Sequence, residues 1–304
     1  MIKYSHIINM IYYYILFISI LILVILTVYY IVHVYNSLIF DDVNNHLYYM
    51  TRDETSLFLE YDEDAYVANL SSIDLYARKA ITKSEYLDVI KNSAASFTYS
   101  DREILDKCTK IADELLRKVK IDSISKEKNL NYSKYINYKD IATIKWVISK
   151  TSAEDSEDKI YRYEEGLPHT RKNIIFLSTK VINYSEDELI KILIHEKIHI
   201  YQRYNEKLFK NIINNMGYTE ISNINEISAD TLKYIRANPD LDKKVYKNIT
   251  DGNLMLCLYN SDRPNGINDV VIKDYSLEHP YEKIAYEISE YIHNMSKIEI
   301  YKQI

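Results

Sequence analysis

The chain has 304 residues, a net charge of −6 and an apolar content of 47%. That length allows one large folded unit or two small ones, and because acids and bases are interspersed there is no basic stripe to support nucleic-acid binding. The two cysteines, Cys108 and Cys257, have neither metal-type spacing nor the pattern of a disulfide framework. Only 4 Gly and 4 Pro accompany 31 Tyr, so turns must be read from Asn and Asp.

No Asp, Glu, Lys or Arg lies between Lys3 and Asp41. Within that span Ile7 to Val34 is almost wholly apolar, and a bilayer crossing takes about 20 such residues. Tyr12–Tyr14 and Tyr29–Tyr30 would stand about 25 Å apart on a helix, which suits two interfacial aromatic belts. The stretch is too long for a signal peptide and lacks a small-residue cleavage site. Residues 1–41 are therefore expected to form an N-terminal transmembrane anchor that meets the lipid bilayer through residues 7–35. The chain is then a single-pass membrane protein. Lys3 before the span and Asp41 and Asp42 after it favour a cytoplasmic N-terminus, with the rest on the non-cytoplasmic side.

Residues 42–138 read as a mainly helical region and linker. Thr82 with Glu85, and Ser100 with Glu103, have capping-box spacing. After the second, Ile104, Leu105, Cys108, Ile111, Leu115, Leu116 and Val119 recur at helical spacing. Residues 121–138 are polar and predict a linker. Residues 139–304 form the next unit. Ile141–Ser149 predicts a strand, with Ile144, Trp146 and Ile148 alternating against polar neighbours. Glu154–Asp158 predicts an exposed loop, Gly166–Thr170 a turn, and Asn173–Ser178 a second strand. Residues 253–259 predict a further strand.

Ser185 opens a helix, with Glu188 reaching back and Glu186 and Asp187 favoured at the positive end of the dipole. It carries His195-Glu196-Lys197-Ile198-His199. Two histidines four apart lie on one helix face and can hold one zinc ion between them. Glu196, beside the first of them, is placed to take a proton from a water activated there. The chemistry thus needs His-Glu-x-x-His and not two histidines alone.

A strand followed by such a helix resembles the zincin metallopeptidases. Three segments together, LPHT-x4-IFLS, LIHEKIHIYQR and HPYEKIAYE, resemble more narrowly the zinc metallopeptidases of large DNA viruses, over roughly residues 160–290. The resemblance implies an α+β fold with a zincin-like core, a small sheet packed on the active-site helix. It implies one Zn2+ per chain on His195, His199 and a third ligand from a later helix, with Glu196 as the catalytic base. The extended pattern with a third histidine six residues on is missing, because position 205 is Asn. Glu282, in His279-Pro280-Tyr281-Glu282, is the first choice for the third ligand; Glu226, in Asn225-Glu226-Ile227-Ser228-Ala229-Asp230, is the alternative. Tyr286, Tyr281, His279 and His169 are candidates to stabilise an oxyanion, and Asp230 to orient a ligating histidine. The resemblance also implies that Ile174–Ser178 binds an extended substrate by strand addition. The activity expected is that of a zinc metalloendopeptidase acting on proteins or peptides. The alternative is a non-catalytic membrane or virion structural or assembly protein that retains a zinc site.

Overall fold

The computed structural model describes residues 46–119, 131–152, 155–156, 159–160, 163–241, 244–271 and 278–301, with a few positions between 14 and 27. The chain divides into two units, Met1–Asn45 and His46–Ile304, and the second carries every element below. Among the described residues no helix is long and apolar enough to cross a membrane. The anchor expected over residues 1–41 lies almost wholly outside the described residues, as do residues 121–130 of the expected linker.

Strand β1 (Leu47–Tyr49) opens this unit, in a region read from the sequence as mostly helical. Helix α1 (Arg52–Tyr61) follows from Thr51, whose side chain and that of Glu54 satisfy each other's backbone N–H groups. Helices α2 (Ser72–Ala77) and α3 (Lys83–Asn92) are capped by Ser71 and Thr82. The long helix α4 (Tyr99–Lys118) starts at Thr98 with Asp101, two residues before the expected Ser100–Glu103 pair. Two capping boxes overlap there. Asp101 is also bound by Lys150 at 2.6 Å, a long-range contact that favours the earlier box.

Helix α5 (Tyr138–Thr143), capped by Asn137, takes the first part of the expected 141–149 strand. Strand β2 (Trp146–Thr151) supplies the rest. The acidic stretch is not a plain loop, since β3 (Asp155–Ser156) pairs there with β4 (Lys159–Ile160). Gly166 closes a short 3-10 turn, and β5 (His169–Arg171) begins just after it. Strand β6 (Ile174–Ser178) falls where expected. Helices α6 (Thr179–Ile182), α7 (Glu186–Tyr204) and α8 (Glu206–Asn215) follow. Then come β7 (Tyr218–Glu220), α9 (Ala229–Tyr234), β8 (Tyr246–Asn248), β9 (Leu254–Met255) and α10 (Pro280–Tyr301). Strand β9 is shorter than the one expected over 253–259.

The fold is α+β with helix outweighing strand. The main sheet has the order β1-β2-β6-β5; the first three strands run parallel and β5 is antiparallel to β6. Strand β6 is therefore paired on both sides and cannot accept a substrate strand; the edge is β5. Side chains keep the two-residue alternation of a strand, but both faces are covered. Trp146, Ile148, Ile175 and Leu177 face a core shared with α4, α7 and α10, among them Leu105, Leu193, Ile198, Ile284 and Ile288. Val147, Ile174 and Phe176 face a second core with Phe58 and Leu59 of α1 and Tyr86 and Ile90 of α3.

Helix α7 is buried nearly all round, so its polar groups need partners. Lys197, between the two histidines but on the opposite face, bonds Asp113 at 2.5 Å and lies 3.9 Å from the Trp146 ring centroid. Burial pushes its ammonium down to about 8 against the pull of Asp113. The Trp146 indole N–H holds the other Asp113 oxygen at 3.1 Å.

A second buried network lies behind β5. Arg78 holds Glu164 through two bonds of 2.9 and 2.6 Å, and the Tyr86 hydroxyl donates to Glu164 at 2.7 Å. Burial pushes the Glu164 carboxyl up, but Arg78 and Tyr86 outweigh it and hold it at about 2. A carboxyl depressed from 4.5 to about 2 stabilises the fold above pH 4.5, and that contribution is lost as pH falls toward 2. Glu164→Gln is expected to cost about 3–5 kcal/mol at pH 7 by leaving Arg78 buried without its counter-charge. Urea unfolding from pH 7 to pH 2.5 checks both points. The wild type should lose stability more steeply with acid than the variant; equal slopes would show that Glu164 does not carry the linkage.

Candidate metal centre

Two helices build the centre, and each is fixed at its start. Ser185 and Glu188 form the capping box of α7 as expected. From there His195, His199 and Gln202, with Glu196 and Arg203 beside them, recur at helical spacing along one stripe. Helix α10 begins with Pro280, whose missing N–H would have had no helical partner. The N–H of Tyr281 donates to His279 Nδ1 at 3.1 Å, so the imidazole caps the helix. Glu282 follows in the first turn, facing α7.

His195, His199 and Glu282 form a group that can hold a metal ion. Their nearest atoms make a triangle: 3.1 Å between the two Nε2 atoms, then 3.3 Å from His195 Nε2 and 3.5 Å from His199 Nε2 to Glu282 Oε2. His199 Nδ1–H donates to Gln202 Oε1 at 2.8 Å, which leaves Nε2 bare as a ligand needs. Gln202 in turn donates to the Tyr281 carbonyl at 3.0 Å, tying α7 to α10. The second Glu282 oxygen accepts from Asn238 Nδ2 at 2.8 Å. Burial opposes charge on Glu282, but His199 and His195 outweigh it and hold the carboxyl well below the usual carboxylate range. Burial likewise opposes charge on His199, and Glu282 outweighs it, raising the imidazole.

A cavity of about 180 Å³ opens beside the triangle. Glu196 lines it, and its buried Oε2 has no hydrogen-bond partner among the described residues. Burial raises its pKa well above the usual range, and the nearby acids Asp240 and Glu282 add to the rise. Tyr286 lines the same space, its ring centroid 4.5 Å from that of His195. Burial raises the Tyr286 hydroxyl, which stays protonated. His169 also lines the cavity, stacked on Phe176 with centroids 5.2 Å apart. Its Nδ1–H donates to the Leu167 carbonyl at 3.0 Å, so Nε2, which has no partner among the described residues, carries a lone pair. Burial lowers the pKa of this imidazole, so at neutral pH it accepts a hydrogen bond and does not donate one to an oxyanion.

Other candidates stand apart from this triangle. Glu226 is exposed, pairs with Lys247 at 3.5 Å, and stands outside the ligand group. Asp230 is exposed on α9, and Gln202 fills the orienting role expected of it. His279 and Tyr281 are buried against Tyr246 and Phe209 and do not line the cavity beside the ligands; their part is to start and seat α10. Gln202, Asn238, Asp240 and Arg203 were not anticipated. Gln202 and Arg203 had a signal, since they sit seven residues after His195 and Glu196. Asn238 and Asp240 had only the turn-forming sequence Asn-Pro-Asp. The chain matches no protein-family model, no curated protein and no solved structure.

Zinc titration against a competing chelator checks the ligand set. Glu282→Ala is expected to abolish tight binding while Glu226→Ala leaves it unchanged, and Gln202→Ala should weaken it about 10- to 100-fold. A proton on His199 must leave before a metal binds. Because Glu282 raises this imidazole above 6.5, binding should begin to weaken above pH 6.5 and then fall about tenfold per pH unit of acidification. Affinity that is flat between pH 5.5 and 7.5 would exclude His199 as a ligand.

Proposed function

We propose that the chain is a zinc-dependent metallopeptidase with a zincin-type core, tethered to a membrane by residues 7–35. One observation carries the zinc reading. Tetrahedral zinc, with ligands at about 2.0–2.2 Å, needs donor atoms about 3.3 Å apart. The three donors of His195, His199 and Glu282 are separated by 3.1, 3.3 and 3.5 Å. Two imidazoles and one carboxylate are also a donor set of catalytic zinc sites, in which a position is left open. The placement of α7 against a small sheet supports the zincin-type core.

When bound, zinc would supply Lewis acidity, polarising the scissile carbonyl and lowering the pKa of a water to about 7. The chain's own groups do the rest. The free oxygen of Glu196 takes the proton of the attacking water and delivers it to the departing amine. Tyr286, protonated and at the cavity wall, donates to the oxygen that gains charge. His169 Nε2 accepts from a substrate N–H. The apolar walls at Leu167, Pro168, Ile192 and Ile267 limit water at the site. Support for the tether comes from the uncharged stretch between Lys3 and Asp41, and the lone Lys3 before it favours a catalytic unit on the non-cytoplasmic side.

Peptide hydrolysis by the zinc-loaded chain, followed by mass spectrometry on a peptide library, is the test. Activity should vanish on chelation and return with zinc. Glu196→Gln should keep its zinc and lose about 10²- to 10⁴-fold in kcat. A folded, zinc-loaded wild type no faster than Glu196→Gln on every peptide would leave the non-catalytic, structural role as the better account.

A further inference from the structure

The edge of the main sheet nearest the metal centre has most of its outward-facing groups already taken. A peptide that joins a sheet must find outward-facing N–H and C=O groups on the edge strand. Alternate residues of β5 face outward, and Thr170 is one of them. Its N–H donates to Asp240 Oδ1 at 2.6 Å and its C=O accepts from Arg203 Nη2 at 3.1 Å. Two residues on, the Lys172 carbonyl accepts from Arg203 Nη1 at 3.1 Å. Two residues back stands Pro168, which has no N–H to give.

The closing segment is part of the site. Asn238 bonds Glu282, the Pro239 carbonyl accepts from Arg203 at 3.0 Å, and Asp240 accepts from the backbone and the hydroxyl of Thr170, both at 2.6 Å. Residues 238–240 thus take hydrogen bonds that an extended substrate would otherwise make. Among the described residues, the cavity beside the ligands has a volume of about 180 Å³. Pockets for drug-sized ligands run about 300–1,000 Å³. The space suits one side chain and the groups around a single amide, not a strand that continues in both directions.

We propose that this site acts on chain ends or on comparably short acyl-amino compounds, and does not cut within a long peptide as the sequence led us to expect. The inference rests on the metallopeptidase reading. The step is a simple hydrolysis: the C–N bond breaks, the water oxygen joins the carbonyl carbon, and the amine leaves with the proton.

Binding tests it without turnover. The probes are a phosphinic dipeptide isostere with free ends and the same isostere in the middle of an octapeptide acetylated and amidated at its ends. Each is titrated calorimetrically into the zinc-loaded full chain and its Glu196→Gln variant. The dipeptide should bind at least about tenfold more tightly, the equivalent of one or two hydrogen bonds the octapeptide fails to make. Product mapping should agree, with a free-ended decapeptide shortened from a terminus and its doubly blocked form left intact. Asp240→Ala should free the Thr170 N–H, visible as faster amide exchange by NMR, and narrow the gap between the probes. Equal binding of the two probes, or internal cleavage of the blocked decapeptide at a similar rate, overturns the proposal alone. If the zinc-loaded chain binds neither probe, the peptidase reading falls and takes this one with it.

Discussion

A carboxylate between two imidazoles in the protein interior is costly to assemble, and much of the surrounding structure follows from it. Glu282 can stay ionised there only because His195 and His199 face it and Asn238 holds its second oxygen. With Glu282 itself, these groups come from three separate places, two helices and a turn. None of them can move far without leaving a buried charge exposed to an apolar environment. The triangle of donors is therefore held by the same forces that hold α7 against α10. Gln202 makes this concrete, since one side chain fixes the tautomer of His199 and bonds the backbone of α10.

The opposite face of α7 obeys the same rule with different chemistry. Lys197 is as buried as its neighbour His199, and it is accommodated by Asp113 and the face of Trp146. The motif helix thus carries ionisable groups on both sides, each satisfied by a different part of the fold. Asp113 belongs to α4 and Trp146 to β2, so the N-terminal helices share in positioning the centre. Behind the sheet, Arg78 and Glu164 do the same between α2 and the turn that leads into β5. The left-handed backbone at Glu164, with φ of 47°, is part of how that turn brings the carboxylate inward.

What was legible in the sequence was local. The Ser185 cap, the spacing of His195 and His199, Pro280 at a helix start and the helical face of α4 all express short-range rules, and the structure has them. Glu282 was preferred over Glu226 for its dense surroundings of His, Tyr and Pro, and it stands with His195 and His199 in the group that can hold a metal ion. Long-range choices were not legible. Overlapping capping boxes at Thr98 and Ser100 are equivalent until Lys150 binds Asp101. The strands β2 and β6 read as half-exposed or short until a second core covers their other face. His279 looked chemical because histidine often is, yet its neighbour's N–H makes it a helix cap. Asn238 and Asp240 carry no pattern at all, since their roles exist only after the chain has brought residues 170, 203 and 282 together.

Arg203 shows how closely the centre and the sheet edge are joined. It lies seven residues after Glu196, about two helical turns along the same stripe of α7. Through Thr170, Lys172 and Pro239 it fastens that stripe to β5 and to the segment that bears Asn238. It also tempers the acidity of the site, opposing the rise that burial, Asp240 and Glu282 impose on Glu196. Burial in turn lowers the proton affinity of the guanidinium itself, against the pull of Asp240 and Glu196. Any shift of α7 that rearranged the histidines would also break the contacts closing the edge of β5. Geometry at His195, His199 and Glu282 and access along the sheet are for that reason one constraint, set by a single rigid helix with charge partners along its length.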